Sequence, residues 1–339
     1  MQLLDRTPML KGLIKILAGL LALVLVATVA LAVAYAIWLP RHERALVAGS
    51  QIASTKRGDV EYAVAGEGVP VLRIHGSPGG YDHSITGARA RPEDISGFKI
   101  IAPSRPGYLR TPLSSGVTPA EQADLYAALL DELKIDRVFV SGISGGGPSA
   151  LQFAVRYPKR AIGLILIVPA LQSINEYAGP LPPKTRMGMW MQDFAMWSSM
   201  TAMRTPLAAV VMPRTMPGFH ANDSLQRAML EDVGAGFVPS SLRVEGRIND
   251  IAQYKDLGIE GLPLERIEVP TLILHGNADE NAPYAGSVAV AKRLPGAKLV
   301  TFEGGDHYVI ITRAAEILAR TTEFMKEVAS EQRQQGDAK

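Results

Sequence analysis

Three residues far apart in the chain have types and settings suited to nucleophilic catalysis. Residues 137–151 read RVFVSGISGGGPSAL, a β-branched run entering Gly142-Ile143-Ser144-Gly145-Gly146 and then a helix-forming stretch. This is a G-x-S-x-G pattern between strand and helix, where a strained turn aims the serine hydroxyl out of the sheet. Glycines two positions either side let the strand and helix approach closely. The helix N-terminus points backbone N–H groups at developing negative charge. A phosphate-binding turn is the alternative, but G-x-G-x-x-G and a P-loop lysine are both lacking. Residues 271–283, TLILHGNADENAP, form a strand ending in a loop with Asp279; residues 298–308, KLVTFEGGDHY, do the same for His307. His307 suits proton transfer from Ser144, and Asp279 suits fixing its tautomer and stabilising the imidazolium. Glu280 is the rival acid, and Asp306 is expected to be a surface neighbour.

Acyl transfer also needs two N–H donors at the oxyanion. Gly145 offers one. Residues 71–81, VLRIHGSPGGY, supply a glycine-rich turn in which Pro78 has no N–H, leaving Ser77 as the second donor. A purely structural turn is the alternative. His75 is expected to brace this loop, His83 to be either a pocket or a solvated residue, and His275 to be structural. His42 and His220 are assigned no role.

These residues must be positioned by strands and helices. Short apolar runs at 71–74, 99–102, 137–140, 164–168, 271–274 and 298–302 read as buried parallel strands. Residues 119–133 read as a helix with Thr118 as N-cap, Pro119 in its first turn and Glu121 after it. Residues 283–294 and 313–330 are also amphipathic. Alternating strands and helices imply a parallel sheet covered on both faces. The rhythm breaks between about 170 and 268, which reads as a helical insertion. No internal repeat is evident.

Composition narrows the functions. Of 339 residues, 35 are Lys or Arg and 33 Asp or Glu, and the first 44 hold five basic against two acidic residues. The rest of the chain is balanced, which argues against a nucleic-acid partner. With no cysteine, disulfides, thiolate metal sites and cysteine nucleophiles are excluded. Residues 16–40 carry no formal charge and are long enough, at ~1.5 Å per residue, to span a bilayer core of ~30 Å. Tyr35 and Trp38 sit at the far end, where aromatic rings favour the interface. An apolar run beyond the ~7–15 residues of a signal peptide favours an uncleaved anchor, although Ala34-Tyr35-Ala36 would serve as a cleavage site. Arg6, Lys11 and Lys15 before it, against Arg41 and Arg44 after it, weakly favour a cytoplasmic N-terminus and an extracytoplasmic body. The expected organisation is an anchor over 1–40, a tether over 41–59, core segments over 60–169 and 269–330, the insertion over 170–268 and a frayed tail over 331–339.

Together these motifs resemble the α/β-hydrolase superfamily, in the group with an HG-x-P-G oxyanion loop. The order Ser144, Asp279, His307 is that family's chain order. Residues 102–108, APSRPGY, resemble its aspartate-arginine-proline-glycine loop, with Ser104 in place of the aspartate, which puts a salt bridge in doubt. The resemblance covers roughly residues 60–328 outside the insertion. It implies a mostly parallel α/β sheet flanked by helices, with a helical cap; the uncharged run over 16–40 adds an N-terminal transmembrane helix to that expectation. It also implies hydrolysis of an ester, thioester or amide without metal or organic cofactor. A serine nucleophile disfavours epoxide hydrolase and haloalkane dehalogenase chemistry.

The cap would then be the insertion, which holds nine of the twelve methionines. Met189, Met196, Met200 and Met203 recur at helix spacing, and Trp190, Phe194 and Trp197 widen the stripe. The stripe is either the cap's own core or an adaptable wall for an apolar substrate, with Trp190, Trp197 and Met200 as the candidate contacts. The leading expectation is a membrane-anchored serine hydrolase of an apolar small-molecule ester or thioester. An aminopeptidase of the proline-iminopeptidase kind would need a cap carboxylate, from Glu176, Glu231, Asp232 or Glu245. A non-catalytic ligand-binding module would have no need of all three of Ser144, Asp279 and His307.

Overall fold

The computed structural model describes residues 7–337 apart from 91, 175–181 and 206–207. The chain divides into two compact units, Met1–Ala45 and Leu46–Lys339. Helix α1 (Thr7–Ala48) accounts for the described part of the first. It is long and apolar enough to cross a membrane, with a mean hydropathy of 2.9 in its most apolar stretch. It continues through Pro40, whose missing N–H normally weakens a helix interior.

The second unit is built on an eight-stranded sheet: β1 (Gln51–Thr55), β2 (Gly58–Ala65), β3 (Val69–Ile74), β4 (Phe98–Pro103), β5 (Val138–Ile143), β6 (Ala161–Ile167), β7 (Thr271–Gly276) and β8 (Lys298–Phe302). The spatial order is β1-β2-β4-β3-β5-β6-β7-β8. β2 runs antiparallel to β1 and β4; all other neighbours are parallel. All six expected strands are present, with ends shifted by a few residues. Their continuous apolar runs serve both faces. Val138 and Val140 pack in one core with Leu129 and Phe153, while Phe139 packs in the other with Phe98 and Phe324.

Helices α2 (Tyr81–Ala90), α3 (Pro119–Glu132), α4 (Gly147–Arg156), α9 (Tyr284–Arg293) and α11 (Ala314–Asp337) accompany the sheet. α3 begins as expected: Glu121 N–H donates to Thr118 Oγ1 at 3.2 Å, and Thr118 N–H donates to the Glu121 carboxylate at 2.9 Å. This reciprocal capping box satisfies two helix-end donors. Between β6 and β7 lie α5 (Arg186–Met203), α6 (Ala208–Thr215), α7 (Ser224–Ala235) and α8 (Val244–Tyr254), with no strand among the described residues. The one-turn α10 (Val309–Thr312) follows β8.

Two boundaries differ from expectation. The expected tether over 41–59 is the end of α1, all of β1 and the start of β2. β1 is an exposed edge strand whose short polar sequence gives little alternation to detect. The segment is held by the buried Glu61, which accepts from Ser50 Oγ at 2.7 Å and from Arg110 Nε at 2.7 Å. The expected frayed tail is helical as far as Asp337, since Glu, Gln and Arg are good helix formers. Gln332 Nε2 ties it to the sheet by donating to Ile162 O at 3.3 Å.

Candidate active site

β5 lies centrally, with β3 and β6 on either side, so its carboxyl end opens at mid-sheet. Ser144 follows it directly, with φ of 50°, in the left-handed region that costs an L-residue energy. A short 3-10 turn, Ser144–Gly146, leads into α4. The glycines are there for space. A Cβ on Gly142 would lie 2.6 Å from Ala150 Cβ, and one on Gly146 would lie 2.6 Å from the carbonyls of Ile74 and His75. The Ser144 carbonyl is pinned by Ala170 N–H at 3.0 Å.

His307, in the loop after β8, places Nε2 3.0 Å from Ser144 Oγ. Its Nδ1 lies 2.7 Å from Asp279 Oδ2, in the loop after β7. With Nδ1–H donating to the carboxylate, Nε2 is left to accept the serine proton. The other Asp279 oxygen accepts from Asn281 N–H at 2.9 Å and Ala282 N–H at 2.8 Å. Burial alone would raise the Asp279 pKa, but hydrogen bonds from His275 and His307 outweigh it and hold the carboxyl well below the usual range. Glu280 and Asp306 make no contact with His307 of this kind; Asp306 accepts from Tyr308 N–H at 2.9 Å.

His275 lies closer to the site than a purely structural reading suggests. Its Nε2 lies 3.0 Å from both Asp279 Oδ2 and Ala282 O, so that nitrogen carries the proton. Ser287 Oγ then donates to Nδ1 at 2.7 Å. His75 braces the loop after β3 as expected. Its Nδ1–H donates to Gly76 O at 2.7 Å while Nε2 accepts from Arg105 N–H at 2.8 Å. An imidazolium could not accept that bond, and burial together with the Arg105 charge keeps His75 neutral.

Ser77 and Gly145 face one another. A Cβ on Gly145 would lie 3.2 Å from Ser77 Cβ and 2.4 Å from Tyr254 Oη. Ser77 Oγ shares a 2.9 Å hydrogen bond with Tyr108 Oη, which donates to Asp250 of α8 at 2.5 Å. Asp250 also takes both terminal nitrogens of Arg105, one at 3.0 Å. The salt bridge put in doubt by Ser104 is therefore present with a carboxylate from the insertion. Ser104 Oγ instead donates to Glu61 at 2.8 Å. Burial lowers the Arg105 pKa, but Asp250 more than compensates and raises it.

Chain 69–314 matches the family model described as alpha/beta hydrolase fold. The chain belongs to the alpha/beta hydrolase fold family. An alpha/beta hydrolase fold protein from Nakamurella multipartita is 30% identical, covers 81% of this chain and 98% of its own, and superposes with a TM-score of 0.63. A 2-hydroxymuconate semialdehyde hydrolase of Pseudomonas putida is 27% identical, over 77% of this chain and 89% of that protein. A higher identity, 43%, is confined to 109 residues of an uncharacterized hydrolase of Bacillus subtilis, YcgS; they are 32% of this chain and only 37% of that protein.

In this hydrolase a cavity of about 200 Å³ reaches Ser144 and His307. Its apolar lining includes Ile143, Ile174, Val233, Phe237 and Ile310, and its polar lining includes His83, Arg247, Tyr254 and Asn281. Burial, with Arg243 nearby, lowers His83 to about 4 against the opposing pull of Asp82, so it is neutral. Trp190 and Trp197, expected as substrate contacts, are not among the described residues lining this cavity or the one beside it, and Met200 lines only the latter. At 100° per residue the tryptophans lie ~60–80° round α5 from Met200. Trp190 instead stacks on Phe194, with ring centroids 5.4 Å apart. Arg247, Tyr254, Arg105 and Asp250 were not foreseen as site residues.

α7 is capped by Asp223, whose carboxylate accepts from the Leu225 and Gln226 N–H groups, and it carries Asp232 next to the wall residue Val233. Burial first, then Glu231 and Asp82, raise Asp232 to about 7. Its unfolded value is about 4, so the unfolded chain loses its proton first as pH rises, and folding stability falls between about pH 4 and 7. Asp232→Asn should therefore raise Tm most above pH 7, by the equivalent of up to about 4 kcal/mol, and hardly at all at pH 4. Thermal unfolding of both proteins across that range is the check; an unchanged difference at every pH would contradict it.

Proposed function

We propose that this hydrolase is a membrane-anchored serine enzyme that cleaves an ester or thioester of an apolar substrate through an acyl-enzyme intermediate. The observation that carries the reading is the relay Asp279–His307–Ser144, with contacts of 2.7 and 3.0 Å, of which Ser144 and His307 line a cavity. Ser144 Oγ attacks the carbonyl carbon as its proton passes to His307 Nε2. The N–H groups of Gly145 and Ser77 hold the oxyanion. Collapse expels the alcohol or thiol, which takes the proton from His307. Water then attacks the acyl-enzyme, giving one proton to His307, which returns it to Ser144 as the acid leaves.

Arg247 favours a second reading. It is the one Arg or Lys among the described lining residues and suits a carboxylate-bearing substrate. The Pseudomonas putida relative is named for an acid of that kind. Steady-state turnover of p-nitrophenyl acetate, butyrate and octanoate beside 2-hydroxymuconate semialdehyde separates the two. Esters should turn over faster; a preference for the semialdehyde would establish the second reading. The aminopeptidase reading loses support, because no carboxylate is among the described residues lining the cavity. Glu176 lies outside the described residues.

The uncharged run within α1 supports the anchor, and its flanking charges support an extracytoplasmic body. The protein should stay with membranes through high-salt extraction. Because the chain has no cysteine, Lys339→Cys reports topology cleanly. An impermeant maleimide should label it in intact cells, whereas labelling only after lysis would place the body in the cytoplasm.

A further inference from the structure

The cavity at Ser144 has a neighbour of about 230 Å³, and Val233, Phe237 and Tyr308 line both. Met196, Met200 and Met203, at i, i+4 and i+7 on α5, line the second cavity together with Met216, Phe219 and Leu230. The two cavities differ in chemistry. The first presents Arg247, Asn281, Tyr254 and His83 beside the nucleophile. In the second the charged residues stand at the solvent side: Arg227 is exposed, and Glu231 pairs with the exposed Arg204 at 3.3 Å. Met200 rests in a notch that exists because residue 234 is glycine, where a Cβ would come within 2.1 Å of the Met200 sulfur.

We propose that the second cavity receives the unbranched alkyl chain of the ester whose carbonyl is presented to Ser144, an inference that rests on the ester-hydrolase reading. The chain leaves the first cavity beside Val233, Phe237 and Tyr308 and lies among the thioethers. Methionine suits this role, since its three rotatable bonds and polarisable sulfur let it repack around chains of different length. Polar groups of the first cavity then face the ester and its polar end. Phe237 and Val233 are specificity-determining residues on this view, because a chain too short to pass them gains nothing from the methionines.

The test uses the full-length protein in nanodiscs and two homologous series: p-nitrophenyl esters from acetyl to decanoyl, and acetates of alcohols from ethanol to decanol. Once the chain passes the shared wall, kcat/KM should rise by about fourfold per methylene in one of them. A rise in the first series assigns the acyl arm to the cavity; a rise in the second assigns the alcohol arm. Met203→Phe narrows the second cavity, so its ratio to wild type should fall steadily with chain length; Leu230→Phe, on α7, replaces it if the first variant does not fold. The same ratio at every length in both series would overturn the proposal. Methionine-methyl NMR of Ser144→Ala gives a reading independent of turnover. On adding p-nitrophenyl octanoate, the Met196, Met200, Met203 and Met216 signals should move while that of Met325, in the sheet core, should not. If no ester is hydrolysed, the ester-hydrolase reading fails, and these signals still decide the cavity: movement supports it and silence overturns it.

Discussion

Ser144→Ala should lower kcat for ester hydrolysis by about 10⁴–10⁶-fold, His307→Ala should do nearly the same, and the double variant should lose little more. The reason is geometric. Ser144 Oγ and His307 Nε2 are 3.0 Å apart, and in the proposed mechanism they act on one proton, so removing either disables both. Residual catalysis of ~10³–10⁴ over water would come from the oxyanion donors and from binding, which neither substitution touches. Asp279→Asn should be milder than Ser144→Ala, because it disturbs the tautomer of His307 without deleting a reacting atom. Steady-state kinetics on the four variants and the wild type, with folding checked by circular dichroism, decide this. Strictly multiplicative losses would contradict a shared proton path.

Asp250→Ala should destabilise the fold by about 3–5 kcal/mol and also impair turnover, although Asp250 touches neither Ser144 nor His307. Its side chain and that of Arg105 are 2% and 4% exposed, so truncation strands a guanidinium in the interior. The same carboxylate accepts from Tyr108, whose hydroxyl partners Ser77 in the oxyanion loop. Loss of Asp250 therefore frees the loop that carries Ser77, the second oxyanion donor in the proposed mechanism. Asp250→Asn keeps the volume and one acceptor and should lie between the two in stability. Urea unfolding together with kcat for p-nitrophenyl acetate measures both effects. A variant as stable as wild type would mean that Arg105 finds water or another partner.

The relay could be read from the sequence because each member is announced locally. Ser144 sits in a glycine-framed turn, while Asp279 and His307 close short β-branched runs, and strand ends in a parallel sheet converge. Thr118 and Glu121 were legible for the same reason, being three residues apart. Asp250 was not, since its partner Arg105 is 145 positions away and nothing in either neighbourhood marks the pair. Ser104, in place of the family's aspartate, points instead to a lost bridge. Trp190 and Trp197 show a different limit. A stripe of large apolar residues indicates a packed helix, but its rotation about the axis depends on neighbours such as Ser240, whose backbone N–H and hydroxyl fasten Asp193. β1 escaped notice because an exposed edge strand has no buried face to impose alternation.

The central claim, that Ser144 is the residue that becomes acylated, is tested most directly by intact-mass analysis and peptide mapping after treatment with a fluorophosphonate. A single adduct should appear on the peptide containing Ser144, vanish in Ser144→Ala and form far more slowly in His307→Ala. An adduct on another serine, or ester turnover by wild-type protein that the reagent neither labels nor inhibits, would contradict it.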